Sequence, residues 1–154
     1  MSDTIQPGQP VPDFSLPSSD GTTFTLSEHK GKKVVVYFYP KDLTPSCTNE
    51  ACDFRDLQPA FAARNAVVVG ISPDPVKTHR RFAEKYGLPF PLLSDPDHKV
   101  AESFGVWTLK KMYGREYMGI ERSTFLIDEE GRLEREWRKV RVKAHAEGVL
   151  NALG

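Results

Sequence analysis

Apolar residues alternate with polar ones on both sides of Ser19-Asp20-Gly21, with Phe14 and Leu16 before the turn and Phe24 and Leu26 after it. Such alternation about a turn-forming centre predicts a β-hairpin near the start of the chain. Lys33-Val34-Val35-Val36-Tyr37-Phe38-Tyr39 is instead apolar at successive positions, as a strand buried on both faces would be, and Pro40 ends it. From Cys47 to Arg64, Ala51, Phe54, Leu57, Phe61 and Ala62 recur at near-helical spacing, and Pro59 is expected to kink or shorten this helix. Ala66 to Ile71 predicts a second buried strand, and Pro75 to Tyr86 a second helix stopped by Gly87. Leu92-Leu93 gives a short third strand, and Asp95-Pro96 opens a helix through Phe104 with Asp95 as its N-cap. Ser123 to Ile127 and Arg132 to Val140 flank the turn Asp128-Glu129-Glu130-Gly131 as a second hairpin, and a closing helix covers about Lys143 to Leu150.

The order β-α-β-α, then a hairpin and a last helix, implies an α/β protein whose mixed central sheet carries helices on both faces. Right-handed crossovers leave few topologies, and a thioredoxin-like fold with an N-terminal β-hairpin fits best. At 154 residues the chain is expected to form one domain over 1–154, large enough to bury a core without staples. No internal repeat, low-complexity tract or interdomain linker interrupts it.

Charge narrows the function classes. Lys+Arg and Asp+Glu balance at 21 each, so no basic field exists to hold nucleic acid or an anionic membrane. No stretch approaches the ~20 apolar residues of a membrane span, and Met1-Ser2-Asp3-Thr4-Ile5-Gln6-Pro7 carries neither a basic segment nor an apolar run. A cytoplasmic location is expected.

The chemistry lies with the only two cysteines, Cys47 and Cys52. In a reducing compartment such a pair is catalytic or metal-binding more often than a permanent staple. Thr44 precedes a proline and so stands outside the helix, at the N-cap, with Pro45 at the first helical position. Cys47 then falls in the first turn, where unpaired N–H groups and the positive end of the helix dipole favour an anionic nucleophile. Cys52 is rotated from Cys47 by ~140° and raised by ~7.5 Å, which puts the Cα atoms ~8.7 Å apart on an ideal helix. A disulfide needs less than ~7 Å. If the two bond to each other, the start of the helix unwinds.

Spacing alone is a weak signal, because cysteine is also among the most buried residue types. Zinc is a weaker rival, since a structural site wants four Cys or His ligands and neither a CxxC nor a close His pair exists. His29, His79, His98 and His145 fall in predicted loops and on predicted helix surfaces, and read as solvated or capping histidines.

Pro40, Thr44 and Cys47 make a more specific pattern, P-x3-T-x2-C after a buried strand, and this resembles the active-site motif of peroxiredoxins. The string from Lys41 to Asp56, KDLTPSCTNEACDFRD, is similar to the bacterioferritin comigratory protein, or peroxiredoxin Q, branch of that family. So are Leu92-Leu93-Ser94-Asp95, Phe104-Gly105-Val106-Trp107 and the run from Arg122 to Asp128, and the likeness covers nearly the whole chain. The resemblance implies a thioredoxin fold, a peroxidatic Cys47, an arginine supplied from a distant strand at Arg122, and Cys52 as the resolving cysteine of the same subunit. Some members of the branch carry the resolving cysteine on the next helix, but Pro75 to Tyr86 contains none. Ser46 departs from the glycine this branch commonly has before the peroxidatic cysteine; serine suits a helix N-terminus, so altered local dynamics are expected.

On that reading the protein reduces hydrogen peroxide and organic hydroperoxides to water and alcohols. A thiol of ordinary pKa ~8.5 is ~3% ionised at pH 7, so full ionisation gains at most ~30-fold. The rest falls to groups that stabilise charge as the O–O bond breaks. Arg122 offers fixed charge and several donors, the Thr44 hydroxyl can reach sulfur and peroxide oxygen, Pro40 packs over the thiolate and limits water, and Glu50, one turn beyond Cys47, reads equally as an ion-pair partner that orients Arg122 or as a member of a surface salt bridge. Sulfenic acid at Cys47 condenses with Cys52, and the resemblance points to thioredoxin, or glutaredoxin, as the dithiol that reopens the bond. No cofactor is expected, and intramolecular resolution is compatible with a monomer. The Trp107 to Tyr117 stretch, with Lys110, Lys111 and Arg115 among aromatics, reads as an exposed loop that could also gate the pocket or meet the reductant. Two rivals remain: a general dithiol–disulfide oxidoreductase, whose cue would be the absent CxxC, and a redox-sensing or holdase-like binding protein that uses the same switch.

Overall fold

The computed structural model describes residues 5–153, so residues 1–4 of the N-terminal stretch considered above lie outside the described residues. Its main sheet has five strands: β3 (Lys33–Phe38), β4 (Ala66–Ser72), β5 (Leu92–Ser94), β8 (Ser123–Ile127) and β9 (Leu133–Trp137). Their order is β5-β4-β3-β8-β9; β3, β4 and β5 are mutually parallel, and β8 runs antiparallel to both of its neighbours, β3 and β9. The N-terminal hairpin pairs β1 (Ser15–Pro17) with β2 (Thr23–Thr25), as the alternation around Gly21 predicts. This is the mixed-sheet, thioredoxin-like arrangement expected from the element order.

Side chains of β3 alternate between two cores. Val35 and Tyr37 pack with Phe54 and Phe61 of α1 (Pro45–Ala63), Phe82 of α2 (Val76–Tyr86) and Val149 of α4 (His145–Ala152). Val34, Val36 and Phe38 face the other way, against Leu16, Phe24 and the short helix α3 (Lys99–Ser103) with Phe104. Each of these β3 side chains is at most 1% exposed, which is why the strand reads as one continuous apolar run. Tyr37 finds room because its cross-strand partner is Gly70, where a Cβ would stand 2.8 Å from the ring.

Several expectations need correction. α1 runs on past Pro59 to Ala63, so Pro59, which lies on the exposed face, does not shorten it. α3 begins at Lys99 rather than Pro96, because His98 adopts a left-handed conformation (φ 49°) that ends the preceding turn. Asp95 still caps it from a distance, accepting the N–H groups of Val100 and Ala101 at 3.3 and 2.9 Å. Trp107 to Tyr117 is no loop: β6 (Trp107–Met112) and β7 (Arg115–Ile120) form a separate two-stranded ribbon. Neither His79 nor His145 is solvated. His79 is fully buried and His145 nearly so, while His29 stacks on Phe24 and His98 on Trp107, with centroids 4.5 and 3.9 Å apart.

Burial pushes the His145 imidazole down to about 4, and the Arg122 charge adds to that; its Nε2 is 2.7 Å from the Thr124 hydroxyl. An unfolded chain takes up this proton below the ordinary 6.5, the folded one only near 4. His145 therefore contributes stability that is present at pH 7 and lost as pH falls from 6.5 to 4, up to about 3 kcal/mol. Urea unfolding across that window should show a shallower pH slope in His145→Gln than in the wild type; equal slopes would contradict this account.

Candidate active site

The sheet register brings the site together. Phe38, the last residue of β3, pairs with Ser123, the first of β8, so Arg122 emerges beside the loop that leaves β3. That loop, Tyr39 to Thr44, leads directly into α1. Crevices outside the carboxyl ends of parallel strands, where connections diverge to either side, are where α/β sheets place their ligands.

Thr44 is the N-cap of α1, with extended backbone angles (φ −80°, ψ 154°), and Pro45 opens the helix. Its hydroxyl turns back to donate to the Lys41 carbonyl at 2.8 Å instead of capping an N–H. Cys47 lies in the first turn, 2% exposed; Cys52 is half-buried on the same helix, and both are free thiols. Pro40 is half-buried in the loop that follows β3.

Cys47 and Glu50, one turn apart on α1, present their side chains to one guanidinium. Arg122 Nη2 donates to the Cys47 sulfur at 3.3 Å, and Nη1 to Glu50 Oε1 at 2.6 Å. The ion-pair side chains are 14% and 1% exposed. Burial pushes the Glu50 carboxyl up to about 7, opposed by the charge and hydrogen bond of Arg122. The second carboxylate oxygen, Oε2, is buried with no hydrogen-bond partner among the described residues, so that penalty has a visible source. Lys110 of the ribbon is also drawn in: burial and the nearby Arg122 lower its ammonium pKa, while the Cys47 sulfur opposes that shift. A side chain read as part of a loop therefore belongs to the electrostatic surroundings of the thiol.

Proximity in the fold thus joins Cys47, Glu50 and Arg122, with Thr44 and Pro40 on the adjoining loop. Sequence reasoning missed a neighbouring cluster, in which Asp42 contacts Tyr39 and His79. The signal was present, since His79 falls between Val76 and Phe82 on the inward stripe of α2. Asp42, Asp74 and His79 bring three possible metal-ligand atoms within 4.8 Å of one another, but both carboxylates and the ring already share hydrogen bonds. A cavity of about 140 Å³ lined by Val11, Leu26, Val34 and Ile127 lies at the opposite end of β3, away from either cysteine.

A thiol held in a helix first turn by a bridging arginine, beyond the ends of the two inner strands β3 and β8 of a thioredoxin-like sheet, is an arrangement suited to a thiol-dependent peroxidase. The chain belongs to the AhpC/TSA family, whose sequence profile matches residues 7–136. It is 59% identical over 150 residues to Peroxiredoxin Bcp of Bacillus subtilis (strain 168), covering 97% of this chain and 96% of that protein. Among solved structures it resembles the bacterioferritin comigratory protein of Xanthomonas campestris, from work on alkyl peroxide reduction, with 45% identity, a TM-score of 0.90 and coverage of 96% and 97% of the two chains. A mutant of Xylella fastidiosa PrxQ gives 42% identity and a TM-score of 0.92, with coverage of 97% and 95%. Peroxide substrates and a thiol reductant follow from family membership.

Arg122 supplies both influences that hold the Glu50 carboxyl down, so Arg122→Met should send it further up and keep it protonated at neutral pH. Carboxyl ¹³C titration of glutamate-labelled protein checks this. An unshifted Glu50 would show that the bridge does not set its charge.

Proposed function

We propose that Cys47 is the peroxidatic residue and Cys52 the resolving residue of a hydroperoxide reductase contained in one domain over 1–154. The observation that carries this reading is the Arg122 fork, which reaches the Cys47 sulfur and the buried Glu50 carboxylate at once. The Cys47 thiolate attacks one peroxide oxygen; an S–O bond forms, the O–O bond breaks, and the leaving oxygen takes a proton to become water or an alcohol. Sulfur is oxidised by two electrons and the peroxide reduced by two. Arg122 stabilises the charge that grows on the departing oxygen, in a site with little water. The Thr44 hydroxyl has its proton committed to Lys41, so its lone pairs are free to accept the peroxide O–H. Pro40 limits water over the sulfur.

The Cys52 thiolate then attacks the Cys47 sulfenic acid; the S–S bond forms and the hydroxyl leaves as water after protonation. This step protects Cys47 from irreversible oxidation. On one continuous helix the two residues are ~8.7 Å apart at Cα, so the first turns of α1 unwind before the bond closes. A dithiol protein, thioredoxin or glutaredoxin, reduces the disulfide by exchange and is itself oxidised. Resolution within the chain suits a monomer, and a reducing cytoplasm suits the free thiols. The likeness to a protein studied for alkyl peroxide reduction supports organic hydroperoxides as substrates beside hydrogen peroxide.

One equivalent of hydrogen peroxide added to reduced protein should give a Cys47–Cys52 linkage within seconds, read by peptide mass spectrometry. Cys47→Ser should abolish turnover, and Cys52→Ser should keep the first step but accumulate sulfinic acid at Cys47 in excess peroxide. Arg122→Lys retains the charge but loses the fork, and should slow the peroxide step by about 100-fold. Turnover in Cys47→Ser, or no linkage in the wild type, would refute the assignment. Coupling to thioredoxin, its reductase and NADPH tests the reductant.

A further inference from the structure

Beside the thiol site lies a buried polar knot that peroxide chemistry leaves unused. Its centre is Asp42, in the loop between β3 and α1. The Asp42 amide donates to Asp74 Oδ2 at 2.8 Å, the Tyr39 hydroxyl donates to Asp42 Oδ1 at 2.5 Å, and His79 Nδ1 lies 2.6 Å from Asp42 Oδ2. The other ring nitrogen, His79 Nε2, is 2.9 Å from the Leu93 carbonyl oxygen. Tyr39 and His79 are fully buried and Asp42 is 4% exposed.

The chemistry of this arrangement fixes its proton count. A neutral imidazole has one N–H, yet here both nitrogens face acceptors, and only the doubly protonated ring donates to both. One proton therefore lies in the 2.6 Å contact between His79 Nδ1 and Asp42 Oδ2, and another on Nε2 facing the Leu93 carbonyl. This contact ties α2 and β5 to the loop leading into α1.

What the pair holds is a strained piece of backbone. Leu43, the next residue, has φ 65°, a region that residues with a side chain rarely enter. Its side chain is 40% exposed, so burial does not explain the conformation. Strain of this kind persists only where neighbours over-determine it, and the three anchors on Asp42 immediately precede it. Thr44 and Pro45 follow, and with them the turn that carries Cys47.

We propose that the His79–Asp42 pair is a latch on the Pro40–Thr44 loop, holding the strained Leu43 turn and the Cys47-bearing start of α1 in the wound form that reacts with peroxide. The proposal rests on resolution by Cys52 and deepens it. His79 is a positioning residue: it acts through Asp42 and does not touch the sulfur. Releasing the latch lets Leu43 relax and favours the unwound form in which Cys52 reaches Cys47. The latch therefore sets whether an oxidised Cys47 closes its disulfide or meets a second peroxide.

His79→Gln and Tyr39→Phe test this, with the peroxide step and disulfide closure followed separately by stopped flow and sulfinic acid at Cys47 measured by intact mass in excess peroxide. In His79→Gln the peroxide step should slow roughly tenfold while closure quickens and the sulfinic fraction falls. Tyr39→Phe should move all three in the same directions by less, and decides the matter if His79→Gln does not fold. Both steps unchanged, or both slowed together, would mean a merely structural role and overturn the latch. ¹⁵N shifts of the His79 ring in reduced wild-type protein should show Nε2 protonated and Nδ1 in a strong hydrogen bond that Asp42→Ala removes. A ring whose Nδ1 shift is unchanged by Asp42→Ala overturns the latch alone, whereas failure of wild-type protein to form a Cys47–Cys52 linkage overturns resolution by Cys52.

Discussion

The Arg122 guanidinium binds a sulfur and a buried carboxylate at once, and the placing of the start of α1 follows from it. Glu50 is 1% exposed and Cys47 2% exposed, one turn apart on the same helix face. A buried carboxylate without a partner is costly, and removing one member of a buried ion pair strands the other. The fork of Arg122, with fixed angles between its donors, therefore orients the helix turn as well as its charges. Lysine would supply the charge without that geometry.

The sheet exists in the form that makes this contact possible. β8 runs antiparallel to β3, so its first residue meets the last residue of β3, and a side chain distant in sequence arrives at the helix N-terminus. Parallel pairing of β3 with β4 demands the α1 crossover on one face, and the buried aromatics Tyr37, Phe54 and Phe61 fix that helix to the sheet. Core packing near Phe54 thus holds the far part of α1, while its first turns are held by the Arg122 fork. Stability concentrated in the middle of a helix, with a strained loop at its start, suits a proposed cycle in which only one end unwinds.

Much of this was legible in the sequence for local reasons. The apolar run of β3, the hairpin about Gly21 and the Gly87 stop of α2 each reflect a backbone requirement carried by adjacent residues. Cys47, Thr44 and Arg122 were legible through a resemblance, since spacing cannot say that a residue 75 positions away donates to a sulfur. What escaped was contact made by tertiary packing. His79 and His145 occupy inward positions of their helices, where polarity suggested water but a partner was waiting on another element. The β6–β7 ribbon escaped because its apolar residues Leu109, Met112, Tyr117 and Met118 stay largely exposed, so alternation marks no buried face. Asp95 was right as a cap but wrong in place, because the turn through His98 displaces the helix while leaving the carboxylate in reach.

Two demands meet in α1: Arg122 and the Asp42 anchors favour a wound first turn, and a Cys47–Cys52 bond requires it unwound. The central claim is that each catalytic cycle passes between these states. Amide hydrogen exchange of residues 48–52, compared between the reduced protein and the protein oxidised by one equivalent of hydrogen peroxide, tests it most directly. The account predicts protected amides in the reduced form and rapid exchange confined to this segment in the oxidised form, with the Phe54 to Phe61 portion of α1 still protected. Equal protection of residues 48–52 in both forms would contradict it.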